Sequence, residues 1–224
     1  MLKQRLVLPE SEVHLWYFQT SQFPDITMQK ALQYLDEGEA QRYQRFRCSL
    51  KRRQFLTARV LLKHLLTWYL GEQPEKIQLR YTQLQKPYLE GDLAFNISHS
   101  GQHLVIAISR HRVGVDIQEE ASIKRNHLLV GLSAQEQQLV TLHEIFPFWV
   151  LKEAFWKADN QLSSLTKLLT ALALRQPQEH NSFSLLVDSW CVTYLKLFQN
   201  LHLAWVVEDP QPVCRFNGVL LKPV

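Results

Sequence analysis

Apolar and polar residues alternate along EVHLWYFQT, residues 12–20, a period of two that predicts a strand with one face in a core. The period then lengthens, and two helices are predicted over about residues 27–45 and 50–70. In the second, Phe55, Leu62, Leu65, Leu66 and Tyr69 share one side while Arg52, Arg59 and Lys63 share the other, so a basic face is expected to stand free for a ligand. Alternation returns at IQLRYTQL (77–84), HLVIAISR (103–110) and RVGVDIQ (112–118), with QKPYLEGDLAFNISHSG as a turn-rich connection between the first two. Ser133 and Glu136 in SAQE have the spacing of a capping box, so Glu136 is read as a cap and not a catalyst. A further helix covers about residues 145–159, with Pro147 near its first turn, and the tail predicts three strands at SFSLLVD, WCVTYLKLF and LHLAWVVE.

Each half therefore runs strand, helices, strands, with the changeover near residues 110–114. No low-complexity linker or repeat intervenes, and the fold class expected is α+β, with halves 1–111 and 112–224 packed into one body. An apolar fraction of 46% over 224 residues supports a packed core and argues against disorder. The opening MLKQRLVLPESEV lacks the apolar core of a secretory signal, and no stretch approaches the roughly 18 apolar residues of a membrane span. A cytoplasmic protein without membrane contact is expected. Cys48, Cys191 and Cys214 are odd in number, far apart and outside any metal-ligand spacing, which fits reduced thiols and gives no reason to invoke zinc.

The formal charge of +4 suits an anionic partner: nucleic acid, a phosphorylated small molecule or an acidic protein. It is concentrated between residues 40 and 63, where Arg42, Arg45, Arg47, Lys51, Arg52, Arg53, Arg59 and Lys63 occur without an acid. That run is either a solvated helix face or a binding field.

On a helical wheel FWVLKEAFWKA (148–158) places Phe148, Leu151, Phe155 and Ala158 on a core arc and Trp149, Glu153, Trp156 and Lys157 opposite. Glu153 and Lys157 are one turn apart, which fits an ordinary surface ion pair. VGVDIQEE changes the balance, because an acid inside a valine-rich strand is unexpected. Alternation directs Asp116 and Gln118 to one face and Val115 and Ile117 to the other. Asp116 is a turn or capping acid, or it converges with Glu153 and the Gln118 amide oxygen on a hard cation such as Mg²⁺.

VGVDIQ followed about thirty residues later by WVLKEAFWK resembles the paired signature of the 4′-phosphopantetheinyl transferases. QKPYLEGDLAFNISHSG and RRQFLTARVLLKHLL are similar to two further family segments, so the resemblance runs from about residue 42 to 160 and is specific in its combination. Order and length match the long, surfactin-type subfamily: one chain, two similar α/β halves in pseudo-twofold arrangement, and an active site at their interface. The resemblance implies transfer of the phosphopantetheine arm of coenzyme A to a serine of an apo acyl or peptidyl carrier protein, by a monomer that binds no nucleic acid. It implies Mg²⁺, or Mn²⁺, held by Asp116 and Glu153, with Glu153 as base for the serine and Lys157 as a cation toward the phosphate. Many members carry a third acid where this chain has Gln118, leaving a weak or water-mediated ligand there. Lys152 is a less certain contributor.

The same resemblance places Ser98, His99 and Ser100 on coenzyme A phosphates, with Lys86, Arg53 and Arg59 as further cations. His99 remains open to a structural role, and Arg42 and Arg45 to either ligand or carrier. No G-x-S-x-G elbow surrounds Ser98 or Ser100, which argues against a hydrolase. The rivals are a nucleic-acid binder using residues 42–63 and a catalytically weak carrier-protein binder. The first gives no reason for Asp116 and Glu153, which would repel phosphate without a metal.

Overall fold

A computed structural model describes residues 5–22, 28–140, 145–159, 162–173, 181–209 and 211–218. The first alternating segment is a strand, β1 (Glu12–Gln19). The next segment forms two helices instead of one, α1 (Met28–Leu32) and α2 (Glu37–Arg45), and residue 27 lies outside the described residues. The break has a local cause. Asp36 accepts from the Glu39 N–H at 2.8 Å while Glu39 accepts from the Asp36 N–H at 3.1 Å, a capping box that starts a fresh helix.

Helix α3 (Ser49–Leu70) follows. Of IQLRYTQL only β2 (Arg80–Tyr81) is paired, with β3 (Pro87–Tyr88), because Ile77 and Leu79 are taken into the core instead. The expected connection contains a full strand, β4 (Ala94–Ser100), which pairs antiparallel with β5 (His103–Ser109). Then come β6 (Val113–Glu119), α4 (Arg125–Val130), α5 (Ala134–Leu139), α6 (Ile145–Asp159) and α7 (Leu162–Ala173). The tail gives β7 (Ser182–Val187), β8 (Trp190–Phe198), β9 (Leu201–Val207) and an unanticipated β10 (Val213–Gly218).

Two four-stranded sheets result, ordered β10-β1-β5-β4 and β6-β9-β8-β7. Strand β10 runs parallel beside β1, so a division at 111/112 separates the sheets except for that strand. Alternation decides the layers. Trp16, Phe18, Phe95, Leu104 and Ile106 pack against Leu62, Leu65 and Leu66 of α3. Val13, Leu15, Val105 and Ala107 meet Val115, Ile117, Leu203 and Trp205 between the two sheets. Val150, Leu151, Ala154 and Phe155 of α6 cover the far side of the second sheet. Among the described residues no helix is long and apolar enough to cross a membrane.

Strands β4 and β6 are edges of different sheets and lie side by side without a backbone ladder. Side chains stitch them instead. Asn96 Oδ1 accepts from the Val115 N–H at 2.9 Å, Ser98 Oγ from the Ile117 N–H at 3.2 Å and Ser100 Oγ from the Glu119 N–H at 3.0 Å. Alternate residues of one strand thus satisfy alternate donors of the other.

The basic face of α3 is not free as expected. Helix α2 brings Glu39, fully buried, between Arg59 (6% exposed) and Lys63 (1%). Lys63 Nζ lies 3.0 Å from Glu39 Oε2, and Arg59 Nε lies 2.8 Å from Oε1 as an ion pair without hydrogen-bond alignment. Tyr81 donates to the same carboxylate at 3.1 Å. Burial of a carboxylate demands such partners, so these two cations hold α2 to α3.

Gly101 closes the β4–β5 turn at φ 57°, the left-handed region. Gly101→Ala is expected to destabilise the protein by about 1–2 kcal/mol through that backbone conformation alone. Its Cβ would also meet Glu119 Oε2 at 2.0 Å, a contact the flexible side chain can yield. A urea midpoint shift at unchanged slope would measure the effect.

Candidate active site

Strand β6 gives one face to the core between the sheets and the other to α6. Gly114, on the α6 side, allows the close approach. A Cβ there would lie 2.0 Å from the Ala154 carbonyl oxygen and 2.6 Å from the Ala158 nitrogen. Two residues along, Asp116 is buried at 6% exposure and accepts from Lys157 Nζ at 2.6 Å and from Ser98 Oγ at 2.7 Å. Lys157 also reaches Ser98 Oγ at 3.1 Å and the Val115 carbonyl at 3.3 Å. Its partner is therefore the aspartate of the neighbouring strand, which replaces the surface Glu–Lys pair that a helix alone would suggest.

Glu153 sits one turn before Lys157, half-buried. Burial pushes its carboxyl above the usual carboxylate range, the Asp116 charge adds to the rise, and Lys157 and Lys152 oppose it. The two acids thus feel each other. Among the described residues no three metal-binding side chains of the His, Cys, Asp or Glu type converge. Lys152 turns elsewhere, donating to Glu136 at 2.9 Å and to the Gly131 carbonyl at 3.2 Å. Glu136 completes the Ser133 capping box as expected.

Beside this constellation opens a cleft of about 550 Å³ between α2, α3, β4 and the end of α6. Arg42, Lys51, Arg59, Lys86, His99 and Lys157 line it, with no acidic side chain among its described residues. Phe46, Phe55, Leu84 and Trp156 supply apolar walls. A larger cavity of about 710 Å³ lies between residues 5–8 and 89–93, holds Glu72, Glu90 and Asp92, and includes no residue of the constellation.

A sequence profile of the N-terminal part of 4′-phosphopantetheinyl transferases matches residues 22–111. The 4′-phosphopantetheinyl transferase HetI of Nostoc sp. is 30% identical over 192 residues, covering 77% of this chain and 79% of its own length. The chain belongs to the 4′-phosphopantetheinyl transferase family. A putative 4′-phosphopantetheinyl transferase, slr0495 of Synechocystis sp., is 31% identical over 171 residues, 69% of this chain and 67% of its own. The 4′-phosphopantetheinyl transferase gsp of Aneurinibacillus migulanus is 27% identical over 159 residues, 66% and 61%.

In this phosphopantetheinyl transferase the residues singled out from sequence divide by strand alternation. His99, Lys86, Arg59 and Lys157 border the cleft. Burial, then Lys157, holds the His99 imidazole below its ordinary range although the residue is exposed overall, and Asp116 opposes that shift. Burial likewise lowers the Lys86 ammonium, with Lys157 and Arg112 adding. Lys86 donates to the Lys157 carbonyl in the last turn of α6, where a cation suits the helix dipole. Gln85 holds φ 60° in the turn before it, and Arg42 donates to its carbonyl at 3.2 Å.

Ser98 and Ser100 are buried with their hydroxyls toward β6, not the cleft. Gln118 Nε2 donates among Ser100 Oγ at 3.0 Å, Ser122 Oγ at 2.5 Å and the Glu119 carbonyl at 3.0 Å. Arg53 is exposed and outside the cleft lining, whereas Lys51 and Gln54 are in it. At about 100° per residue Arg53 lies about 200° from Lys51, whereas Lys51 shares a side with Phe55 and Arg59, so the helical period separates the two; Arg53 is named from the family resemblance alone. Gly114 carried a signal as well, since a glycine among valines marks close backbone approach.

Proposed function

We propose that this transferase binds coenzyme A in the cationic cleft and passes its 4′-phosphopantetheinyl arm to a serine hydroxyl of an apo acyl or peptidyl carrier protein at Asp116, Glu153 and Lys157, releasing adenosine 3′,5′-bisphosphate. Family membership makes the chain an enzyme that transfers phosphopantetheine to carrier proteins. The observation that carries the assignment of the site is the junction of a carboxylate pair with a cleft whose described lining holds several cations, apolar walls and no acidic side chain. A nucleotide with three phosphates needs such a cleft: fixed cations for charge, apolar walls for the base and the arm.

Lys86 and Arg59 then meet phosphate oxygens from the first half of the chain and Lys157 from the second. His99, whose cationic form burial and Lys157 disfavour, offers a hydrogen bond. Glu153, deprotonated and half-shielded from water, accepts the serine proton directly or through one water. Lys157 stabilises negative charge on the transferred phosphate or on the leaving group.

The donor set fits a hard divalent cation. Two carboxylates stand close enough for one to raise the other's pKa, and oxygen is what Mg²⁺ or Mn²⁺ prefers. Asp116 and Glu153 would hold the ion and Gln118 would add a neutral, weak or water-mediated contact. When bound, the ion neutralises diphosphate charge and polarises the attacked phosphorus. The resemblance to the long, single-chain subfamily further suggests a cytoplasmic monomer. The nucleic-acid alternative loses ground because Lys63 of the basic stretch is buried against Glu39 and faces no ligand.

Protein incubated with Mg²⁺, coenzyme A and an apo carrier is expected to raise the carrier's mass by one phosphopantetheinyl group, read by intact-mass spectrometry. An unchanged mass with carriers of the fatty-acid, polyketide and peptide-synthetase types would overturn the proposal.

A further inference from the structure

We infer that Arg112 is a positioning residue: tied to Asp159 at the end of α6, it sets the rotation of that helix about its own axis and so aims Lys157, and Glu153 one turn earlier, at the site beside Asp116. The inference rests on the reading of Lys157 given above, a cation toward the phosphates of coenzyme A. Arg112 directly precedes β6 and continues it, its carbonyl accepting from the Glu208 N–H at 3.0 Å. Alternation then puts Arg112, Gly114 and Asp116 on one face, the face that α6 covers. All three meet the last turn of the helix. Arg112 Nη1 donates to Asp159 Oδ1 at 3.0 Å, Gly114 lies under Ala154 and Ala158, and Asp116 accepts from Lys157 Nζ at 2.6 Å.

The helical period decides what this arrangement can do. With Ala158 directed at the strand, Lys157 and Asp159 stand about 100° to either side of it, and Glu153 shares the Lys157 flank. A glycine under two alanines is a close contact but a smooth one, with no large side chain to key this turn against rolling. The two ion pairs supply the key because they pull on opposite flanks. Rolling the helix one way lengthens the Lys157–Asp116 pair, and rolling it the other way lengthens the Asp159–Arg112 pair. Their polarity is also reversed, so a helix that exchanged the pairs would set Lys157 against Arg112 and Asp159 against Asp116. A roll of about 20° would carry a side-chain tip at the helix periphery by about 2 Å. A misplacement of about 1 Å can already cost about 10²-fold in rate.

Arg112 is itself held still. Its Nε and Nη2 grip Glu208 at 2.6 and 2.5 Å in a two-pronged pair, and its guanidinium lies 4.8 Å from the Trp190 ring centroid. The Asp159 side chain is 4% exposed, so little water competes for it. Arg112 is absent from the described lining of the cleft, although its charge is near enough to lower the Lys86 ammonium. A direct contact with phosphate is therefore the rival to be separated.

A double-mutant cycle separates positioning from direct contact and from general support of the fold. Coenzyme A affinity is measured by titration calorimetry with Mg²⁺ and without carrier protein, well below the unfolding midpoint. Lys157→Ala is expected to weaken binding about tenfold, as loss of a charge-assisted hydrogen bond does. Arg112→Ala is expected to weaken it about fivefold in the wild-type background and less than about twofold beside Lys157→Ala, since a cation that is gone cannot be misplaced.

Equal losses in the two backgrounds would overturn the inference, because Arg112 would then touch coenzyme A itself or merely support the fold. Wild-type affinity in Arg112→Ala would overturn it too. Should Arg112→Ala fail to fold, Asp159→Asn keeps the shape, removes the charge that Arg112 holds and is read in the same cycle. Wild-type affinity in Lys157→Ala, or no binding by the wild-type protein, would instead overturn the assignment of Lys157 to the phosphates, and the inference with it.

Discussion

Glu153→Gln is expected to reduce transfer by about 10³-fold and, without divalent cations, to raise the thermal midpoint at a pH above the ionisation of Glu153. The rate loss follows from removing the proton acceptor, a role that contributes about 10²–10⁴-fold in other enzymes. The stability gain follows from the direction of the pKa shift. Burial, with Asp116 behind it, makes the folded protein hold the Glu153 proton more tightly than the unfolded chain does. Between the ordinary carboxylate value and the raised one the folded state binds more protons, so stability falls as pH rises through that window and stays lowered above it. Above that window the ionised side chain is a cost that glutamine does not carry. Mg²⁺ should raise the midpoint of the wild type and leave the variant nearly unmoved. Scanning fluorimetry with and without Mg²⁺ measures both effects, and a variant no more stable than wild type in chelator would contradict the strained carboxylate pair.

Gly114→Ala is expected to cost about 3 kcal/mol of stability, at the upper end for overpacking, and to lower transfer even where the protein remains folded. Its Cβ would meet the Ala154 carbonyl oxygen at 2.0 Å, the Ala158 nitrogen at 2.6 Å and the Ala158 Cβ at 3.0 Å. Two of the three are helix backbone, so α6 must move as a body. Ala154 follows Glu153 in the chain and Ala158 follows Lys157, so the same shift carries both functional side chains away from Asp116. Urea unfolding and the transfer rate well below the midpoint give the two numbers, and wild-type values in both would refute the close approach.

Much of this arrangement was legible where the cause was local. The alternation of VGVDIQ placed Val115 and Ile117 in the core and Asp116 opposite them, and the period of FWVLKEAFWKA set Phe155 apart from Glu153 and Lys157. Ser133 and Glu136 announced a cap that α5 bears. What escaped depended on partners distant in sequence. Glu39 reads as an ordinary first-turn acid, and only the packing of α2 on α3 reveals that it pairs with Arg59 and Lys63. NISHS reads as a polar connection because an alternation in which the inward residues are asparagine and serine resembles a loop. Those residues face unpaired strand donors instead of an apolar core, which is why they are polar. Ser98 and Ser100 were accordingly assigned to the ligand, whereas their hydroxyls turn to β6.

The return of β10 to β1 bears on how the chain folds as it is made. Glu12 pairs with Val213 in parallel register, and Arg215 Nε lies 2.6 Å from the Glu12 carboxylate. These contacts span nearly the whole chain, so no ribosome-bound intermediate lacking residues 213–218 can complete the first sheet. One edge of β1 stays open through synthesis of the entire second half, and an open strand edge on a nascent chain is the kind of surface that recruits chaperones or other unfinished chains. Of the strands described, the first to emerge is among the last to be sealed.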